Sequence, residues 1–495
     1  MSSRPPDHHT IIVGAGFTGI GTAILLDRAG LADHLIIEAG AEPGGTWYWN
    51  TYPGVAVDIP SFSYQFSFEQ STRWSRTYAK GAELKAYAEH CVDKYRLRDR
   101  IRFDTAVTGA EYDDEQALWR VHTDTGTVIA RFLVNGSGVL TVPKPPDIPG
   151  VDEFAGVTLH TARWDHDVDL TGKRVAIIGT GASAVQVIPE IAAKVQQLTV
   201  FQRTPIWCFP KFDLPLPAPA RWAMRVPGAK MLQRLASQAY VELTFPLSAQ
   251  YYTVFPLADR AAELGRAYLR REVHDPVIRD KLTPQYAVGC KRPGFHNSYL
   301  STYNRDNVAL VTEPIERVTP TGVCTADGER HEVDVLILAT GFKVMDVDSV
   351  PTFPVTGAGG QSLGEFWSTH RLQAYEGVSI PGFPNFFTVM GPYGYVGSSY
   401  FALIEAQGHH VVRCLQRAEQ LGAHRVEVSA QANDRYFAEM MRKRHRQVFW
   451  QDSCAQANSY YFDQNGDVPL RPATTVEAYW RSRRFDLADY RFSAE

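Results

Sequence analysis

The stretch Thr10-Ile-Ile-Val-Gly-Ala-Gly-Phe-Thr-Gly19 decides the fold. Ile11 to Val13 are apolar and mostly β-branched, which predicts a short buried strand. Gly14, Gly16 and Gly19 follow in G-x-G-x-x-G spacing at a strand-to-helix turn. Gly14 permits the tight turn, Gly16 lets a pyrophosphate approach the backbone, and Gly19 lets helix and strand pack closely. The helix predicted over Phe17–Ala29 offers free N–H donors and a positive N-terminus to phosphates. A second apolar strand, Leu35–Ile37, ends in Glu38, where a carboxylate is placed to accept hydrogen bonds from an adenosine ribose. Strand, glycine triplet, helix, second strand and terminal acid in one run predict a dinucleotide-binding α/β unit.

The pattern occurs twice. Arg174–Ile178 reads as a strand, and Gly179-Thr180-Gly181-Ala182-Ser183-Ala184 repeats the phosphate turn with Ala184 in the third small position. The next strand, Leu198–Phe201, ends in Gln202-Arg203-Thr204 rather than in an acid. A carboxylate would repel a 2′-phosphate, whereas Arg203 pairs with one, so the second nucleotide is read as NADPH. One site ending in Glu and another in Arg implies two different dinucleotides, FAD in the first unit and NADPH in the second. The nicotinamide then donates hydride to the flavin.

Between and beyond these turns the chain divides as follows. A first part of the FAD unit covers 1–142, and the Pro-rich linker 143–150 follows. The NADPH unit covers 151–213 and 290–382, interrupted by a helical insertion over 214–289. A second part of the FAD unit covers 383–495. The fold class is therefore α/β, with two Rossmann-like domains and a helical insertion in the second. Helices are predicted over Leu84–Tyr95, Ala220–Val241, Ala258–Glu272, Ser399–Leu421 and Ala430–Arg444, and a strand or extended segment over Ser61–Phe68. Flavin-side candidates are Phe17, Gly45, Thr46, Trp47, Asp58, Tyr64, Val107 and Met390. Those for the second nucleotide are Gly179 to Ala184, Arg203, Thr204 and Lys291.

Composition excludes several classes. A net charge of −4 over 495 residues gives no nucleic-acid or anionic-membrane footprint. Met1–Thr10 is polar, without the apolar core of a signal peptide, and no apolar run approaches a membrane span. The six cysteines are scattered without a C-x-x-C, which predicts no metal cage, redox dithiol or disulfide framework and fits a reducing cytoplasm. Without paired cysteines a disulfide reductase is disfavoured, and molecular oxygen is the natural acceptor for the reduced flavin. Oligomeric state is not legible.

Two further motifs carry a resemblance. Phe154-Ala-Gly156-Val-Thr-Leu-His160-Thr-Ala-Arg-Trp164-Asp165 matches every fixed position of F-x-G-x-x-x-H-x-x-x-W-[P/D]. Gly44–Asp58 matches [A/G]-G-x-W-x-x-x-x-[F/Y]-P-[G/M]-x-x-x-D, with Gly45 as its second residue. Both resemble the signatures of type I Baeyer–Villiger monooxygenases, and Trp164 favours this branch over the N- and S-oxygenating flavin monooxygenases. The resemblance implies an FAD- and NADPH-dependent enzyme in which a flavin C4a-peroxide attacks a ketone carbonyl and gives an ester or lactone. It implies that Lys291-Arg292-Pro293 supplies the catalytic Arg292, with Lys291 near the NADPH 2′-phosphate, and that Asp58 pairs with and positions Arg292. Arginine suits this role because it stays protonated. His160 and Trp164 are expected to pack on one face as a latch between the units. Thr51, where many relatives carry Arg, and the tyrosine-rich Gly391–Tyr395 and Ser459–Tyr461 depart from the family pattern and leave the ketone open. Competing readings are an N/S-oxygenating monooxygenase, an uncoupled NADPH oxidase or reductase, and a nucleotide-sensing module.

Overall fold

The computed structural model describes residues 5–344 and 346–494. Residues 1–4 of the polar N-terminal reading lie outside that range.

The first nucleotide unit is built on strand β1 (His8–Val13), helix α1 (Phe17–Arg28) and strand β2 (His34–Ile37). Strand β1 runs parallel to β2, pairing Val13 with Ile37, and parallel to β3 (Gly126–Asn135), pairing Val13 with Asn135. Ile11 and Ile12 are fully buried because helices and loops cover both sheet faces, which explains why the strand reads as continuously apolar rather than alternating. An antiparallel set (Val107–Asp113, Leu118–Thr123, β3) extends the sheet on one side, and Ile101–Arg102 closes the other. Phe386–Thr388, from far along the chain, joins in parallel beside the end of β3. The later chain thus completes the first sheet.

The second sheet has five parallel strands. At its centre lie β4 (Arg174–Ile178), β5 (Gln197–Phe201) and β6 (Val335–Leu338), flanked by Val308–Val311 and Val157–His160. Helix α2 (Ala182–Ile191) follows β4 as α1 follows β1. Both helices begin on a glycine, Gly16 and Gly181, with no side-chain cap, so their first-turn N–H groups have no side-chain acceptor.

The insertion is helical, but the expected single helix over Ala220–Val241 is two, Ala218–Ala223 and α3 (Ala229–Glu242). They separate at Pro227-Gly228, where Gly228 takes φ +83°. Gly289–Asn307 carries a short strand, Gly294–Phe295, and a helical turn, Tyr299–Thr302, within the expected loop. Helix α4 (Tyr400–Leu421) packs on α1, and helix α5 (Thr475–Arg484) packs on α4. Ser61–Phe68 forms turns, not a strand: the Ser63 and Tyr64 N–H groups both donate to Pro60 O at 3.0 Å. Its alternation of polar and aromatic residues reflects hydroxyls satisfying local carbonyls, as when Ser63 Oγ donates to Pro60 O at 3.1 Å.

Candidate active site

One cavity of about 1670 Å³ runs from the first glycine turn to the second. Gly14, Gly16, Phe17, Glu38, Gly45, Thr46, Trp47, Asp58, Tyr64, Val107 and Met390 line its first half. Gly179 to Ser183, Arg203, Thr204 and Lys291 line the second, and Arg292 lies on the wall as well. Gly19 and Ala184 are not on that wall. A Cβ on Gly19 would lie 1.9 Å from Gly14 O, so Gly19 serves the contact between helix and turn. Ala184 is fully buried in the core beneath the second sheet.

The first turn is fixed from two sides. Gly14 takes φ +97°, a conformation that glycine, having no Cβ, adopts at little cost. Glu38 accepts from Ala15 N at 2.6 Å and from Gly40 N at 2.7 Å. Burial raises its pKa, and those two N–H groups oppose the rise. Each carboxylate oxygen keeps a second lone pair for a diol. The loop carrying Gly45 and Trp47 closes over the turn: Gly44 N donates to Ala15 O, and the Trp47 ring meets Tyr64 edge-on at 5.8 Å.

At the second turn, Gly181 would direct a Cβ into open space, so a phosphate has room beside the start of α2. Burial, with Arg203 adding to it, lowers the Lys291 pKa to about 8. Two cations held close, with no carboxylate in ion-pair range among the described residues, form a site that seeks a multiply charged anion. Asn458 Nδ2 donates to Thr204 Oγ1 at 2.8 Å, tying the C-terminal loop to the same wall.

Arg292 is half-buried because the cavity reaches it, while protein surrounds it on every side. Burial works against its charge. The phenol groups of Tyr395, Tyr461 and Tyr460 and the Asp58 carboxylate outweigh that and hold its pKa well above the ordinary value. Burial, with Arg292 opposing, pushes the Tyr395 and Tyr460 phenols up to about 12, so both are neutral at pH 7. The chamber therefore holds a permanent cation among neutral hydroxyls.

The comparisons agree with this geometry. A family model described as pyridine nucleotide-disulphide oxidoreductase matches residues 11–214. A Baeyer–Villiger monooxygenase of Streptomyces coelicolor is 37% identical over 483 residues, covering 97% of this chain and 91% of that relative. The chain belongs to the Baeyer–Villiger monooxygenases. Among solved members, OTEMO in complex with FAD and NADP superposes with a TM-score of 0.88 at 30% identity, covering 99% of this chain and 100% of that one. An oxidised steroid monooxygenase bound to NADP gives 0.87 at 32% identity with the same coverage.

Two expectations need correction. Asp58 makes no ion pair with Arg292 within 4.0 Å. Gln186 Nε2 donates to Asp58 Oδ1 at 3.4 Å instead. Gln186 is engaged more firmly elsewhere, accepting from Tyr52 Oη at 3.0 Å and donating to Ala56 O at 2.9 Å. A polar bridge from α2 thus lies beside the carboxylate, and phenols crowd the guanidinium. Second, Cys290 and Cys454 form a disulfide, 164 residues apart in sequence. It joins the residue before Lys291-Arg292 to the loop that carries Tyr460 and Tyr461. Cys91, Cys208, Cys324 and Cys414 are free.

The Baeyer–Villiger signature lies at the junction of the units, but not as one packed face. His160 ends an edge strand, where its Nε2 meets Thr340 Oγ1 at 3.3 Å and its Nδ1 accepts from Ala162 N at 3.0 Å. Burial lowers its pKa, which suits a neutral acceptor. Trp164 packs instead on the core of the second unit. Contacts to the first unit come from neighbours. The Arg163 guanidinium stacks 4.1 Å over the Trp49 ring, and His166 Nε2 meets Thr51 Oγ1 at 2.9 Å. The departure at Thr51 therefore has a partner in the residue directly after the signature. Sequence reasoning missed Gln186, Asn458 and Tyr400 as site residues, and read the loops carrying Tyr395, Tyr460 and Tyr461 as bearing on the ketone without linking them to Arg292. The tyrosine-rich loops were the available signal.

Proposed function

We propose that this chain binds FAD along the first glycine turn and NADPH along the second, and uses them to insert one oxygen atom from O2 beside a ketone carbonyl. Ketone, O2, NADPH and a proton give ester or lactone, NADP+ and water. Bound FAD supplies the redox chemistry, taking hydride from NADPH and activating oxygen. The protein's residues fit both groups: uncapped helix N-termini at Gly16 and Gly181, Glu38 at one ribose position, and Arg203 with Lys291 at the other nucleotide's phosphate. We adopt the unit boundaries given above with one change: the first unit resumes before 383, a division supported by Val355–Thr356 pairing with Ala110–Glu111 of the first sheet and by Trp367 packing in that sheet's core.

The observation that carries the reading is Arg292. A fixed cation inside a chamber of neutral phenols stabilises negative charge as it develops on substrate oxygen, and needs no reorganisation to do so. Asp58 adds a carboxylate within electrostatic reach, and Tyr395 and Tyr461 restrict the guanidinium's direction. Four free cysteines, three of them buried, support a cytoplasmic setting. The test is incubation with NADPH and a panel of linear, cyclic, aromatic and polycyclic ketones, followed by mass spectrometry. Products heavier by one oxygen are expected. Oxygenation of amines and sulfides alone, or peroxide release without organic product, contradicts the proposal.

A further inference from the structure

Helix α3 is inside-out. Its inward face is polar over its middle, with Tyr240 and Val241 packing on the core only at its end: Arg234 Nη1 donates to Gln65 O at 2.7 Å, Ser237 Oγ to Ser63 Oγ at 2.9 Å, and Gln238 Nε2 to Ser398 Oγ at 3.0 Å. Its outward face is the apolar one. Leu232, Leu235, Ala236, Ala239 and Leu243 recur at three- and four-residue spacing and are all exposed, Leu232 at 70%. Just upstream, Trp222 and Val226 are exposed as well, Trp222 at 68%. A soluble helix buries its apolar stripe, so this one is built for something that covers it.

The patch continues. Glu242, at the end of α3, accepts from Thr475 N at 2.8 Å, which docks the start of α5 beside it. Helix α5 then exposes Val476, Tyr479 and Trp480 at helical spacing. Arg483 and Arg484 stack over Tyr479 and Trp480.

Charge selects the occupant. No acidic residue lies between Asp213 and Glu242, whereas Arg221, Arg225 and Lys230 do. The nearby acids are engaged: Asp213 with Arg76, Glu242 with Thr475, and Glu477 with Tyr251 and Thr474. A two-fold contact with a second copy would set this basic rim against itself. An anionic bilayer matches both the rim and the apolar stripe, and exposed tryptophan and tyrosine suit its headgroup depth. The net charge of −4 averages over the whole chain and does not register this local rim. Among the described residues no helix is long and apolar enough to cross a membrane, so the contact lies along the surface.

We propose that α3 and the start of α5 dock the enzyme on an anionic lipid surface. The docked segment reaches the chamber: Phe245, two residues past Leu243, has its ring 6.0 Å from that of Tyr461 on the cavity wall.

The test is co-sedimentation of the FAD-loaded enzyme with vesicles of phosphatidylcholine alone or with one-third phosphatidylglycerol. Binding is expected only with the anionic lipid, and is reversed by high salt. Leu232→Gln/Leu235→Gln abolishes it, and Arg221→Gln/Arg225→Gln/Lys230→Gln weakens partitioning by about 100-fold. Flavin absorbance and circular dichroism confirm that each variant is folded. If Leu232→Gln/Leu235→Gln does not fold, the three-charge variant decides alone. Equal sedimentation with both lipids, or binding unchanged in that variant, overturns the proposal. So does a dimer in light scattering that Leu232→Gln/Leu235→Gln dissolves while no vesicle binding is seen.

Discussion

The low pKa of Lys291 makes NADPH recognition titratable near neutral pH. Burial and the nearby Arg203 bring the ammonium to about 8. Lys291 is then about nine-tenths protonated at pH 7 and about one-tenth at pH 9. The sign is set by the base: rising pH removes a cation from a site whose function is to meet a phosphate dianion. The pH profile of kcat/KM reports groups of the free enzyme. It should therefore fall by about tenfold for NADPH between pH 7 and pH 9, if the protonated form carries binding. NADH lacks the 2′-phosphate and should show no such fall. Lys291→Met should remove the NADPH-specific fall and lower kcat/KM at pH 7 by roughly 10- to 100-fold, the range for a lost charge-assisted hydrogen bond. Steady-state NADPH oxidation with saturating ketone, run in parallel with NADH, provides the assay. Parallel profiles for the two nucleotides, or an NADPH-specific fall that survives in Lys291→Met, would refute the assignment of Lys291 to the phosphate.

Three other outcomes follow from the packing. Gly19→Ala sets a Cβ against Gly14 O, and a relaxation costing on the order of 3 kcal/mol should open the turn; FAD content should drop with Tm, and full flavin loading at unchanged Tm would contradict the contact. Thiol titration of denatured, unreduced protein should count four cysteines, and six after reduction; six before reduction would remove the Cys290–Cys454 bond. Arg163→Ala removes the cation–π contact over Trp49, worth about 1 kcal/mol at a half-exposed site; it should slow flavin reduction by NADPH by several-fold while FAD affinity is unchanged, and an unaltered reduction rate would reduce this contact to packing.

The glycine turns were legible because each is local: strand, turn and helix are written within thirty residues, and only glycine satisfies φ +97° at Gly14 and +112° at Gly179. The acid at Glu38 and the base at Arg203 were legible for the same reason, standing at the end of the next strand. What escaped depends on contacts between distant segments. Tyr395, Tyr460 and Tyr461 converge on Arg292 from two loops that no periodicity links to Lys291-Arg292. The disulfide escaped because spacing rules address near neighbours, and its cysteines meet only once the C-terminal loop folds back over the cavity. Asp58 lies on the cavity wall beside Gln186 of α2 rather than in an ion pair with Arg292, a contact between distant segments that sequence could not show. Helix α3 had the expected periodicity. The pattern gave the spacing of the apolar stripe but not the direction it faces, and here it faces outward.

In the proposed reaction Arg292 stabilises charge during oxygen transfer and is not needed to load or reduce the flavin. Stopped-flow reduction of Arg292→Ala by NADPH, paired with product analysis on a ketone accepted by the parent enzyme, tests it directly. Flavin reduction is expected within a few-fold of the parent, with ester formation down by at least about 100-fold and the consumed NADPH recovered as hydrogen peroxide. Conversion of the ketone at the parent's rate would contradict it.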